Sequence, residues 1–165
     1  MCEQVKKLEI KKDIEESNIS NIKFDKYKDL IELNLTGCKN IKDYTFISKL
    51  EKLEYLCLSY TNISDILFFE KNINIKELIL LGCRNIKDYS FLSKLEKLEK
   101  LNLCYTNISD ISFLIKNNNI KKLNLEECKN IVDYSFISNL EKLENLYLKD
   151  NPPSPEYPGS SRSSQ

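Results

Sequence analysis

Six cysteines, Cys2, Cys38, Cys57, Cys83, Cys104 and Cys128, are the side chains in this chain best suited to chemistry. A thiol serves as a zinc ligand, half of a disulfide or a nucleophile, and each role demands particular neighbours. The chain has no histidine, the general base that thiol and hydroxyl nucleophiles most often use. Its glycines, Gly37, Gly82 and Gly159, stand too far apart to form a phosphate-cradling loop. Acidic side chains offer two further patterns. Glu126-Glu127 is an adjacent pair, and an aspartate recurs as Asp43, Asp65, Asp88, Asp110 and Asp133. A calcium ladder needs several oxygens per ion, whereas one carboxylate is enough to cap a short helical turn. Capping is therefore the expectation for the aspartates.

Spacing decides what the cysteines do. Leu30-Ile31-Glu32-Leu33-Asn34-Leu35 recurs as Leu53–Leu58, Ile75–Leu80, Leu98–Leu103, Ile120–Leu125 and Leu143–Leu148, at steps of 23, 22, 23, 22 and 23 residues. A period in this range marks a stacked solenoid. Side chains alternate along each short strand, so Leu33 and Leu35 point into the core and Asn34 points out. One coil cannot bury its apolar stripe alone, but stacked coils bury it continuously. Cys38, Cys83 and Cys128 then fall in one column, two coils apart, which is about 9 to 10 Å. That exceeds the roughly 7 Å reach of a disulfide. These thiols are expected to be free, buried and donating to turn carbonyls. Cys57 and Cys104 fall on outward strand positions, where the pattern predicts exposed thiols.

The residues match the leucine-rich-repeat pattern over about residues 5 to 151, with Val5–Ile10 as a degenerate first copy. Longer copies ending in Cys38, Cys83 and Cys128 resemble the cysteine-containing class. Shorter copies with Thr61 and Thr106 are similar to the internalin-type repeat, and Asn151 restores the family asparagine. The two subtypes alternate as a 45-residue unit. The resemblance implies an α/β solenoid: a right-handed coil with a parallel concave β-sheet and short 3₁₀ or α segments on the convex side. Ile41–Phe46, Ile86–Phe91 and Ile131–Phe136 are read as the core behind the sheet, with Ile63–Phe68 and Ile108–Phe113 as their shorter equivalents. Abundant Lys, Ile, Asn and Tyr with no Ala point to an AT-rich genome, and the alternating repeats resemble the leucine-rich-repeat gene family of insect poxviruses. That resemblance implies a host-directed role.

The outward strand positions supply the candidate site. Tyr55, Tyr60, Ile79, Leu81, Lys100, Asn102 and Tyr105 group on three adjacent coils, with charge gathered toward both ends. Tyrosine and aliphatic residues inside a polar rim are what protein interfaces favour. Seven strands give a face about 30 Å long, enough for a standard footprint. The expected function is a non-catalytic module that binds a protein partner on its concave face, with no cofactor. Its alternatives are a substrate-recognition subunit of a ubiquitin-ligase-type complex and a truncated repeat paralogue.

Bulk composition agrees. Equal numbers of basic and acidic residues, 25 each, argue against a nucleic-acid or anionic-membrane partner. The first residues lack the apolar core of a signal peptide, so a cytoplasmic, reducing location is expected. Residues 1–29 are read as a degenerate repeat and cap, 30–151 as the repeats, and 152–165 as a disordered tail. That tail holds every proline and fits a native linker, a frame change or a cloning scar. Self-association through the C-terminal sheet edge is the remaining expectation, since open edges expose unpaired strand groups.

Overall fold

The computed structural model describes residues 6–9 and 27–152. Most of the expected N-terminal cap, Cys2, and all of the tail after Pro152 lie outside the described residues. Seven strands form one sheet in sequence order: β1 (Lys7–Glu9), β2 (Glu32–Asn34), β3 (Tyr55–Cys57), β4 (Glu77–Ile79), β5 (Lys100–Asn102), β6 (Lys122–Asn124) and β7 (Asn145–Tyr147). Every neighbouring pair is parallel, with Leu8, Leu33, Leu56, Leu78, Leu101, Leu123 and Leu146 in one row. This is the leucine-rich-repeat solenoid that the spacing predicts. Each strand spans three residues rather than the six of the motif, because the chain turns after the second core leucine. Backbone bonds still run past the strand ends, as in Leu35 N–H to Cys57 O at 2.8 Å and Gly37 N–H to Ser59 O at 2.7 Å.

Five-residue 3₁₀ turns, Thr45–Lys49, Leu67–Lys71, Ser90–Lys94, Ser112–Lys116 and Ser135–Asn139, form the convex side. The repeated aspartates start them. Asp43, Asp65, Asp88, Asp110 and Asp133 each accept the backbone N–H two residues on, at 2.8 to 2.9 Å. Each stands one residue before the N-cap and so closes an Asx-type turn that delivers the chain into the 3₁₀ segment. Hydrogen bonds from the hydroxyl and then the backbone N–H of Thr45 and Ser90 hold the Asp43 and Asp88 carboxyls below the ordinary aspartate value, and the backbone N–H and hydroxyl of Ser135 do the same for Asp133.

The core is a continuous column of Leu and Ile between sheet and turns, with Tyr44, Tyr89 and Tyr134 buried behind it. Three positions differ from the pattern: Phe46, Phe68 and Phe136 are only partly buried, and the next residues, Ile47, Phe69 and Ile137, fill the core instead. Phe68 packs edge-on against Phe69 at 4.7 Å between ring centroids.

Two polar ladders run through this core. In the first, the thiol of Cys83 donates to Leu58 O and that of Cys128 to Leu103 O, both at 3.0 Å. The hydroxyls of Thr61 and Thr106 reach the same two carbonyls at 2.7 Å, and the Asn151 amide bonds Leu125 O at 2.7 Å. Cys, Thr and Asn thus share one task, satisfying buried turn carbonyls. The second ladder has no signature in the repeat pattern. Asn72 and Asn117 are fully buried and replace the Leu50, Leu95 and Leu140 of the long copies. The Asn72 amide donates to Ile47 O and Leu50 O, and that of Asn117 to Leu92 O and Leu95 O, at 2.8 to 3.1 Å.

Candidate functional site

Cys57 and Cys104 are not the exposed thiols that their outward positions predicted. They are 5% and 6% exposed. The hydroxyls of Thr36 and Ser59 sit against Cys57 Sγ at 3.1 and 3.2 Å. Burial pushes the Cys104 thiol up to about 11, with Glu126 adding to the effect. A concave sheet crowds its outward side chains, and a small residue between larger ones is covered. Burial likewise raises Cys38, Cys83 and Cys128, so these thiols stay protonated and inert. Among the described residues, no three His, Cys, Asp or Glu side chains gather as metal ligands would.

The seven candidate residues fall into two zones. Tyr55, Ile79, Leu81 and Asn102 are half-buried along the middle of the face, where Tyr55 is pushed up to about 12, chiefly by burial. Lys100 is exposed and pairs with Glu77 at 2.8 Å. Similar pairs join Lys7 to Glu32, Lys76 to Glu54 and Lys121 to Glu99 between adjacent coils at 2.8 to 2.9 Å. Such exposed pairs contribute little stability, and they leave the N-terminal ends of the strands charged but neutralised.

Tyr60 and Tyr105 form the other zone, at the turn just past the strands. They are 49% and 42% exposed, the most open of the seven apart from Lys100. Their turn position takes a left-handed backbone in every coil from β2 to β7. It holds Gly37 (φ 72°), Tyr60 (57°), Gly82 (70°), Tyr105 (58°), Glu127 (57°) and Asp150 (60°). Glycine adopts this conformation freely, whereas a side chain there costs about 1 to 2 kcal/mol. Tyrosine at positive φ is uncommon, and residues held in such conformations cluster at functional sites.

Gly82 is required for a second reason. A Cβ on it would stand 2.6 Å from Cδ1 and 2.8 Å from Cε1 of Tyr60, so the Tyr60 ring lies directly over this glycine. Beside that ring, between Tyr60 and Tyr105, is an open hollow of about 500 Å³ lined also by Gly82, Thr61, Asn62, Lys39, Arg84 and Asn85. Strand alternation does not mark Lys39, Arg84 or Asn85. The signal was present, because Gly37-Cys38-Lys39 and Gly82-Cys83-Arg84 repeat a basic residue two places after the glycine.

No family model matches the chain, and no curated protein matches it. Solved structures do. An internalin (InlF) from Listeria monocytogenes superposes with a TM-score of 0.71 and 34% identity, over 79% of this chain and 37% of that one. An internalin C2 from the same organism gives a TM-score of 0.63 and 26% identity, over 78% and 65% of the two chains. The functional domain of InlJ from Listeria monocytogenes, described as including a cysteine ladder, shares the fold at 18% identity and a TM-score of 0.60. The chain therefore spans about a third of the first relative and less than two thirds of the second. These likenesses establish the leucine-rich-repeat fold.

Proposed function

We propose that this leucine-rich-repeat chain is a non-catalytic module that binds a protein partner on its concave face, with Tyr60 and Tyr105 at the centre of contact. The observation that carries this reading is the pair of exposed tyrosines held at positive φ. The fold has glycine available for that turn and uses it at Gly37 and Gly82. Keeping two strained aromatics on the surface is explained by what they touch outside the chain. Ile79 and Leu81 on β4 and the adjoining loop extend the contact as a half-buried apolar strip, and Tyr55, Lys100 and Asn102 border it.

The inert thiols support the absence of thiol catalysis, and five free cysteines suit a reducing compartment. Among the described residues no helix is long and apolar enough to cross a membrane. The solved structures compared above are from Listeria monocytogenes, and the resemblance to insect-poxvirus repeat genes and its host-directed role rest on the sequence pattern alone.

The test changes Tyr60 and Tyr105 to Asp together and compares affinity capture with the parent chain, after circular dichroism shows matching thermal unfolding. Loss of the captured protein is expected. Retention of the same partner by the folded variant would remove this face from consideration.

A further inference from the structure

The three long copies build the same turn with different electrostatic results. In the third, Glu127 occupies the left-handed position, and its carboxylate pairs with Lys129 at 2.9 Å. In the second, that position is Gly82, and the residue matching Lys129 is Arg84. In the first, it is Gly37, followed by Lys39. Among the described residues no carboxylate lies within ion-pair distance of Arg84 or Lys39, and both are exposed. Arg84 is also positioned. Its Nε–H donates to Tyr105 O at 3.4 Å, and its own backbone carbonyl accepts from the Asn107 amide at 2.9 Å. The remaining guanidinium N–H groups form a fork suited to a carboxylate.

We propose that the hollow between Tyr60 and Tyr105 takes one Asp or Glu side chain from a linear acidic segment of a protein partner, with Arg84 as principal cation and Lys39 beside it. The chain carries its own template. In the third long copy Glu127 supplies a carboxylate to the cation two residues on, whereas at Gly82 the Tyr60 ring covers the glycine and no carboxylate of the described residues reaches Arg84. At about 500 Å³ the hollow suits a side chain and its neighbours rather than a folded surface. This inference rests on the concave face being the partner surface, and it names the chemistry of the partner.

The experiment pans two displayed libraries of 12-residue peptides against the full chain, one random and one lacking Asp and Glu. The expected result is enrichment from the random library alone, with an acidic residue at a fixed position. Replacing it by Asn or Gln should weaken binding at least tenfold by fluorescence anisotropy. Arg84→Gln should cause a similar loss, and the two changes together should cost little more than either one. Tyr105→Gly should abolish binding, because glycine is the residue this turn accepts elsewhere. Peptides from the acid-free library that depend on Tyr60 and Tyr105 would overturn the carboxylate and leave the partner surface standing. Peptides indifferent to Arg84→Gln, Tyr60→Gly and Tyr105→Gly would overturn both.

Discussion

The turn Gly82-Cys83-Arg84 and the turn Glu127-Cys128-Lys129 sit two coils apart on one backbone template. Both place their first residue at positive φ, and both bury a thiol that donates to the leucine carbonyl of an earlier coil at 3.0 Å. Around that shared frame the surfaces diverge. At Glu127 the turn supplies its own carboxylate and neutralises Lys129. At Gly82 the carboxylate is missing, an aromatic ring lies over the glycine, and Arg84 has no acidic partner among the described residues. The difference separates scaffold from site. What the two turns share is needed by the fold, and what only one of them has is available for binding.

Titrating the groups buried along the solenoid should weaken both turns together, and this is the largest effect expected. Burial raises Cys104 to about 11 and Tyr44 and Tyr89 to about 12, against ordinary values of 9.0 and 10.0. A group whose folded value is raised contributes stability fully below its unfolded value and loses it as pH rises toward the folded one. Stability measured by urea titration should hold to about pH 8, fall from pH 9, and collapse approaching pH 12. A chain equally stable at pH 7 and pH 11 would mean that these groups are not buried as described.

Leu80 lies beneath the open turn and Leu125 beneath the closed one, both fully buried. Leu80→Ala and Leu125→Ala should each cost about 2 to 5 kcal/mol by chemical denaturation. A markedly smaller loss at Leu80 would mean the open turn is loosely packed, and the comparison of equal frames would fail.

Asn72→Ala should cost about 1 to 3 kcal/mol, because it removes two buried hydrogen bonds and leaves Ile47 O and Leu50 O with one backbone N–H donor each. The same substitution at the half-buried Asn74, whose bonds to Glu51 O and from the Lys97 ammonium lie at the surface, should cost less. Equal losses would show that the buried ladder is not what holds the short copies in register.

The frame was legible in the sequence because its signals repeat. The Leu-x-Leu alternation located all seven strands and the row of buried leucines, and the Cys/Thr/Asn column gave the thiol-to-carbonyl bonds. Signals that depend on neighbouring coils were not legible. Alternation marked Cys57 and Cys104 as outward, which describes their direction but not their burial, since curvature and the flanking Thr36 and Ser59 cover Cys57. Asn72 and Asn117 carry no such signal, because a polar residue after a helical turn is ordinarily on the surface. At the site, composition picked out Tyr60 and Tyr105 but missed Arg84 and Lys39. Those two gain meaning only when set against Lys129 and its partner Glu127.

The account's central claim is that Tyr60 and Tyr105 hold strained conformations for the sake of a partner rather than for the fold. The most direct measurement is urea unfolding of the double variant Tyr60→Gly/Tyr105→Gly beside the parent chain. Relief of the left-handed strain should offset the lost ring contact over Gly82 and the greater freedom of the unfolded glycines. The predicted stability is within about 1 kcal/mol of the parent, with the slope unchanged. A loss of more than about 2 kcal/mol, as expected for side chains that serve the core, would contradict the claim.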